Sequence, residues 1–312
     1  MRVGVVDIGT NSTRLLVADV DGNRIAEIDR RSEVTRLGEG VDTTGRLSDE
    51  AQARVFAVLD AYAAAIEEHG CDVTTGVLTS AVRDAANGER FRDEVRRRYG
   101  LDANVIAGEI EARLTYLGAT AERPAGEGPL VVVDIGGGST EYVVGEEGEM
   151  TFHVSTQAGV VRQTERHLHS DPPRSEELQA LADEVRQIIA TEVPADVREA
   201  VVAAIGVAGT ATSCAAIDQE LDPYDAARVQ GYRLQEGALE LMLARLAEMD
   251  LERRRRVTGL DPNRAPTIVA GIVILLEALR AFGLDEVEVS EHDILWGAAL
   301  TVAADAAGER SA

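Results

Sequence analysis

Alternating apolar and polar positions open the chain. RVGVVDI (2–8), STRLLVADV (12–20) and NRIAEIDRRSEVT (23–35) each read as strands, and Asp21-Gly22-Asn23 supplies a hairpin turn between the second and third, so an antiparallel meander is predicted. The period then lengthens. Ser48 is placed to cap a helix over DEAQARVFAVLDAYAAAIEEHG, in which Val55, Leu59, Tyr62 and Ile66 keep helical spacing until Gly70 stops it. VTTGVLTSA predicts a strand, GERFRDEVRRRYG a helix, NVIAG a strand and GEIEARLTYLGATAE a helix. Strands alternating with helices behind a meander predict a mixed α/β sheet under helical cover.

ERPAGEGP (122–129), rich in Pro, Gly and charge between two periodic segments, marks a domain junction, with a first domain over 1–126 and a second over 127–292. Beyond it the opening pattern restarts. LVVVDI, TEYVVG and MTFHVST predict a second meander, followed by helices near 159–168 and 175–192. VVAAIGVAGTATSCAAI predicts a buried strand, a tight Gly209-Thr210 turn and a helix. RAPTIVAGIVILLEALRAFG predicts a largely buried helix, VEVSEHD a strand running into a loop, and ILWGAALTVAA a last helix.

The restart goes down to the residue. Asp7-Ile8-Gly9-Thr10-Asn11-Ser12-Thr13 aligns with Asp134-Ile135-Gly136-Gly137-Gly138-Ser139-Thr140 with five identities in seven, each copy between a valine-rich strand and a further strand. A shared strand–turn–strand context favours duplication over chance recurrence.

Composition narrows the chemistry. At 312 residues, two domains are the default, and no apolar run reaches the length of a membrane span. The start MRVGVVDIG enters a strand without the features of a secretory signal, so a cytoplasmic location is expected. A net charge of −24 argues against general binding to nucleic acid or anionic membrane. All 31 basic residues are arginines, which excludes a Walker-type lysine; any phosphate must meet guanidinium groups, backbone N–H groups or a metal ion. Cys71 and Cys214 are isolated thiols, and His153, His167, His169 and His292 lack metal-site spacing with other His or Cys residues, although His167 and His169 are two apart.

A strand ending in Asp, a glycine-rich turn and a Ser/Thr put a carboxylate and unobstructed N–H groups around a small concavity that suits phosphate. One such motif reads as a plain hairpin turn. Two copies, with Gly209-Thr210 as a third tight turn, argue for anion binding from several sides.

The two turns resemble those of the actin-like phosphotransferase superfamily, whose duplicated ribonuclease H-like domains grip nucleotide phosphates. TSAVRDAANGERF (79–91), VIAGEIEARLTYLG (105–118), DIGGGSTEYVVG (134–145) and SEHDILWGAAL (290–300), with TRLGEGVDTTGRLS (35–48) and HLHSDPP (167–173), together resemble the exopolyphosphatase and guanosine pentaphosphate phosphohydrolase family, in particular its short actinobacterial-type members. The resemblance runs from residue 2 to about residue 300. It implies an α/β fold of two actin-like domains with an interdomain cleft, the helix at about 293–309 packing back on the first domain.

By this resemblance Glu111 is the general base on the attacking water, while Ile110 departs from a family pattern of adjacent glutamates. Asp134, Glu141 and Asp7 are expected at Mg²⁺, with Mn²⁺ as an alternative. Asn11, Ser12, Gly136, Gly137, Gly138, Ser139, Gly209 and Thr210 are expected to meet phosphate. Arg83 matches a family arginine near the substrate; for Arg36, a phosphate contact and a surface ion pair stand level. The arginine runs 96–98 and 253–256 read better as solvated helix faces than as a track for a polyanion.

The expected activity is removal of terminal phosphate from inorganic polyphosphate, with guanosine pentaphosphate as the alternative substrate. An actin-like kinase or a non-catalytic phosphate-binding regulator are the rivals. The resemblance also implies a homodimer, and the absence of the additional C-terminal helical domain that many members carry.

Overall fold

The computed structural model describes residues 1–22, 24–123 and 128–309. The chain divides into two compact units, one made of Met1–Ala121 and the segment from Asp293 onward, the other of Glu122–His292. The junction expected near residue 126 falls among residues outside those described, as does Asn23 of the first hairpin turn.

In the first unit, β1 (Arg2–Ile8), β2 (Ser12–Asp21) and β3 (Arg24–Val34) form the antiparallel meander, and β4 (Val73–Leu78) and β5 (Asp102–Val105) add in parallel, giving the order β3-β2-β1-β4-β5. The central strand β1 is buried almost throughout because helices cover both faces. On one face lies the helix Asp49–His69, whose Val55, Leu59 and Tyr62 join Val6, Ile8, Leu15 and Val17. Ser48 Oγ accepts from Ala51 N–H at 3.1 Å, and Gly70 ends the helix at φ 63°, where a side chain would be strained.

On the other face the helices Gly108–Thr120 and Ile294–Glu309 meet backbone to backbone. A Cβ on Gly118 would stand 2.0 Å from the Asp293 carbonyl oxygen, and one on Gly297 would stand 1.8 Å from that of Leu114. Leu295, Trp296 and Ala299 fill the core beside Val3, Val5 and Leu16.

The second unit repeats the plan. β6 (Leu130–Ile135), β7 (Thr140–Glu146) and β8 (Glu149–Thr156) form the meander; β9 (Ala203–Val207), β10 (Tyr232–Gln235) and β11 (Glu286–Val289) complete the order β10-β11-β9-β6-β7-β8. β6, β9 and β11 run parallel, and β10 pairs antiparallel with β11. The helix Ile268–Phe282 is buried along nearly its whole length, as its unbroken apolar run predicts. Among the described residues, no helix is long and apolar enough to cross a membrane.

Three sequence expectations are revised. The strand expected over 73–81 stops at Leu78, because Thr79 accepts from the N–H groups of Val82 and Arg83 and turns the chain into a short helix, Ser80–Asp84. β10 and the helix Glu236–Ala247 were not anticipated: the strand is four residues long with only Leu234 buried. Arg254 does not belong to a solvated face. It is 5% exposed and donates to Asp171 at 2.9 Å. The run 96–98 does stay outward, with Arg97 and Arg98 both on Glu94.

Candidate active site

Each unit gathers its chemistry at the carboxyl ends of its parallel strands, where open α/β sheets bind ligands. In the first unit, Ile8 of β1 is in register with Leu78 of β4, which is in register with Val105 of β5. Asp7 stands at the tip of β1, Arg83 follows β4, and Glu111 lies in the first turn of the helix that follows β5.

The DIGTNS turn closes with Gly9 N–H donating to Ser12 O at 2.9 Å. The Thr10 carbonyl accepts from Gly38 N–H, and that of Asn11 from the N–H groups of Thr35 and Arg36, so the TRLGEG loop is fastened to this turn by its backbone. Arg36 sits there at φ 49°. A trans peptide holds its carbonyl and the next N–H in opposite directions, so the Asn11 and Ser12 amides face away from that loop. Thr10 Oγ1 pairs with Ser80 Oγ at 2.8 Å and accepts from Ala81 N–H at 3.2 Å, tying the turn to the short helix that carries Arg83.

Arg83 Nη1 donates to Glu111 Oε2 at 3.0 Å and to the Ile106 carbonyl at 3.1 Å. Arg83 therefore orients the proposed base, and the other nitrogens of its guanidinium are not used in these bonds. Glu111 is 7% exposed. Burial pushes its carboxyl up to about 7, against the pull of Arg83, with the Asp7 charge adding to the rise. Ile110, by contrast, is an exposed side chain.

Asp7 is buried beside Arg14, its cross-strand neighbour. Arg14 Nε and Nη2 both donate to Asp7 Oδ2, at 2.8 and 2.6 Å, and Nη1 donates to Asp293 Oδ2. Asp7 Oδ1 is buried and has no hydrogen-bond partner among the described residues. Sequence reasoning missed Arg14 and Asp293; SEHD was quoted for its resemblance, but nothing local shows that Asp293 reaches a residue 279 positions away.

In the second unit the DIGGGS turn closes the same way, Gly136 N–H donating to Ser139 O at 3.0 Å. The carbonyls of Gly136, Gly137 and Gly138 accept from N–H groups of Val160, Val161 and Gly159, at the start of the helix Val160–His167, and Arg162 Nε adds a bond to Gly138 O at 2.8 Å. The amides of Gly137, Gly138 and Ser139 consequently point away from that helix, and none has a hydrogen-bond partner among the described residues. Gly159 must lack a side chain: its Cβ would lie 2.4 Å from the Gly137 and Gly138 backbone.

Asp134 and Glu141 are directly opposite each other on β6 and β7 and both are buried. Ser155 Oγ donates to Glu141 Oε1 at 2.8 Å. Asp134 is also in register with Val207 of β9, which brings the start of the helix Ala208–Asp218, with Gly209 and Thr210, beside the tip of β6. A Cβ on Gly209 would stand 1.5 Å from Arg264 Nη1, so the glycine admits a half-buried guanidinium from a residue with no local motif to mark it.

The first cluster thus unites Asp7, Asn11, Ser12, Arg83 and Glu111, with Arg36 joined through its backbone. The second unites Asp134, Gly136, Gly137, Gly138, Ser139, Glu141, Gly209 and Thr210. No group of three or more His, Cys, Asp or Glu residues suited to a metal ion occurs among the described residues. Two neighbouring carboxylates nevertheless fit Mg²⁺, which keeps most of its shell for water and phosphate oxygens. The thiols take no part: Cys71 is half-buried, and burial pushes Cys214 up to about 12.

A model of the Ppx/GppA phosphatase family matches residues 16–297. Exopolyphosphatase 2 of Mycobacterium tuberculosis is 38% identical over 97% of this chain and 98% of its own. Among solved structures, the Aquifex aeolicus Ppx/GppA family member superposes with a TM-score of 0.82 at 33% identity, covering 98% of each chain. An exopolyphosphatase from Cytophaga hutchinsonii superposes with a TM-score of 0.86 at 26% identity, covering 95% of this chain and 96% of that one.

Proposed function

The chain belongs to the Ppx/GppA phosphatase family, and on that footing we propose that it is an exopolyphosphatase, releasing orthophosphate from the end of inorganic polyphosphate. The observation that carries the reading is Glu111: a buried carboxylate held by Arg83 and raised to about 7, where a base is both deprotonated and basic enough to act at neutral pH.

Glu111 takes a proton from water as the water oxygen bonds to the terminal phosphorus. The bond from that phosphorus to the bridging oxygen breaks, the electron pair leaves with the shortened chain, and orthophosphate is the second product. The amides of Asn11, Ser12, Gly137, Gly138 and Ser139 are the donors suited to phosphate oxygens, whose charge changes during the reaction. Arg83 holds the base and Arg36 anchors the first turn. Asp134 and Glu141 would hold Mg²⁺, or Mn²⁺ on the same oxygens, and the ion supplies charge neutralisation at the phosphates. Asp7 keeps one carboxylate oxygen, Oδ1, unbonded among the described residues and available to the attacking water.

Phosphate release measured in parallel from short polyphosphate, long polyphosphate, guanosine pentaphosphate and ATP, with and without Mg²⁺, tests the reading. Polyphosphate is expected to be the best substrate, and Glu111→Gln to lose about 10³-fold in kcat while still binding polyphosphate. Faster release from guanosine pentaphosphate overturns the substrate; unchanged turnover in Glu111→Gln overturns the base.

A further inference from the structure

Five charged side chains meet in the first unit: the carboxylates of Asp7, Glu111 and Asp293 and the guanidinium groups of Arg14 and Arg83. Asp7, Glu111 and Asp293 are each less than a tenth exposed. Buried charges at this density hold one another in fixed geometry, because leaving any of them unmatched is strongly destabilising.

Arg14 is the central member. Two of its nitrogens converge on one oxygen of Asp7, Oδ2, and the third goes to Asp293 Oδ2. A guanidinium fork spread over two carboxylates has no freedom to swing, so the Asp7 carboxylate is fixed in orientation. Its other oxygen, Oδ1, is buried without a partner among the described residues. A buried carboxylate oxygen left unsatisfied is costly unless a ligand completes it.

Asp293 is held just as firmly. Its Oδ1 accepts from Leu295 N–H at 3.0 Å, and its carbonyl oxygen accepts from Trp296 and Gly297 N–H at 3.0 and 3.1 Å, so it caps the helix Ile294–Glu309. The same carbonyl lies where a Cβ on Gly118 would be, on the helix that carries Glu111. One residue therefore caps one helix, abuts another and grips Arg14.

We propose that Arg14 and Asp293 are positioning residues for hydrolysis: Asp293 locks Arg14, and Arg14 holds Asp7 so that Oδ1 faces the water that Glu111 deprotonates. In this arrangement Oδ1 accepts the water hydrogen that Glu111 does not take, which fixes the direction of the oxygen lone pair. The inference rests on the exopolyphosphatase reading and adds a role for two residues outside the phosphate turns.

Asp293→Asn is the decisive substitution, because the amide oxygen of Asn can still accept from Leu295 N–H and keep the helix cap while the negative charge that holds the Arg14 guanidinium is removed. On polyphosphate with Mg²⁺, Asp293→Asn is expected to lower kcat about 30-fold with KM within about twofold, the pattern of misplacement and not of lost binding. Arg14→Lys, which cannot span both carboxylates, is expected to fall in the same range. Asp7→Asn sets the floor, and adding Asp293→Asn to Asp7→Asn is expected to lower kcat by no more than about twofold further.

A structural effect alone would multiply the two losses and lower the melting temperature in proportion. Multiplied losses in the double variant, or kcat within twofold of wild type in Asp293→Asn, overturn the positioning role while leaving the exopolyphosphatase reading intact. Wild-type protein that releases no phosphate from polyphosphate overturns that reading, and the proposal with it. If Asp293→Asn proves too unstable to assay, Arg14→Lys on the Asp7→Asn background gives the same cycle.

Discussion

The two turns share a frame and differ in what stands across from their aspartate. Gly9 to Ser12 and Gly136 to Ser139 close at 2.9 and 3.0 Å, and each turn is followed by a strand antiparallel to the one before it. Opposite Asp7 is Arg14; opposite Asp134 is Glu141. One cross-strand pair is of opposite charge, the other places two buried carboxylates side by side, an arrangement suited to the divalent cation proposed above. The turns are also braced differently, the first by the Thr10 hydroxyl and the backbone of the TRLGEG loop, the second by packing three carbonyls onto a helix start. The same backbone thus serves two electrostatic purposes through one position, seven residues beyond each aspartate.

The most damaging way to break this contrast is to make the second turn copy the first. Glu141→Arg is expected to lower Mg²⁺-dependent phosphate release by about 10³-fold, and Mg²⁺ titration of its thermal stability should show no saturable rise where the wild type shows one. Preserved activity would mean that the ion is held elsewhere.

The braces differ by less. Gly159→Ala drives a methyl group into backbone at 2.4 Å, whereas Gly38→Ala meets the Thr10 methyl at 2.2 Å, a side chain able to turn. Gly159→Ala should cost about 2 kcal/mol in urea unfolding and raise KM for polyphosphate roughly tenfold; Gly38→Ala should cost about half as much. Equal losses would show that the two turns are equally stiff.

The smallest effect concerns pH. With Glu111 raised to about 7, kcat/KM should climb about tenfold per pH unit below that value and level off above it. A carboxyl raised in the folded state contributes stability that is full below its ordinary value of 4.5 and is lost as pH rises through about 7. Glu111→Gln should accordingly gain on the order of 3 kcal/mol relative to wild type between pH 4 and pH 8. Ser155→Ala, which removes the bond to Glu141 in the second unit, should leave the kinetic midpoint in place; a midpoint that follows Ser155→Ala instead would move the titrating group to the second unit.

The repeated meanders were legible because strands of six to eleven residues between turn signals state their period plainly. The Ser48 cap and the Gly70 stop are local chemistry and were equally open to reading. β10 was not, since four residues with one buried side chain carry no period. Within the site, the glycine turns announce themselves, but Glu111 in GEIEARL looks like any helix glutamate until packing buries it, and the family resemblance alone singled it out. Arg14 and Asp293 were hidden for a different reason: their partnership is a tertiary contact with no signature at either end. Arg254 was misread because a run of four arginines looks solvated until Asp171 draws one of them inward.

The closure of the first unit by Asp293 has a consequence for synthesis. Residues 122–292 are continuous, so the second unit has all its strands once they have emerged from the ribosome. The first unit begins earlier but lacks the helix Ile294–Glu309, the acidic partner of Arg14 and part of the cover of one sheet face until residues 293–309 are made. Its apolar residues Val3, Val5 and Leu16 must wait until the helix Ile294–Glu309 has been made, so the unit that starts first is completed after the second.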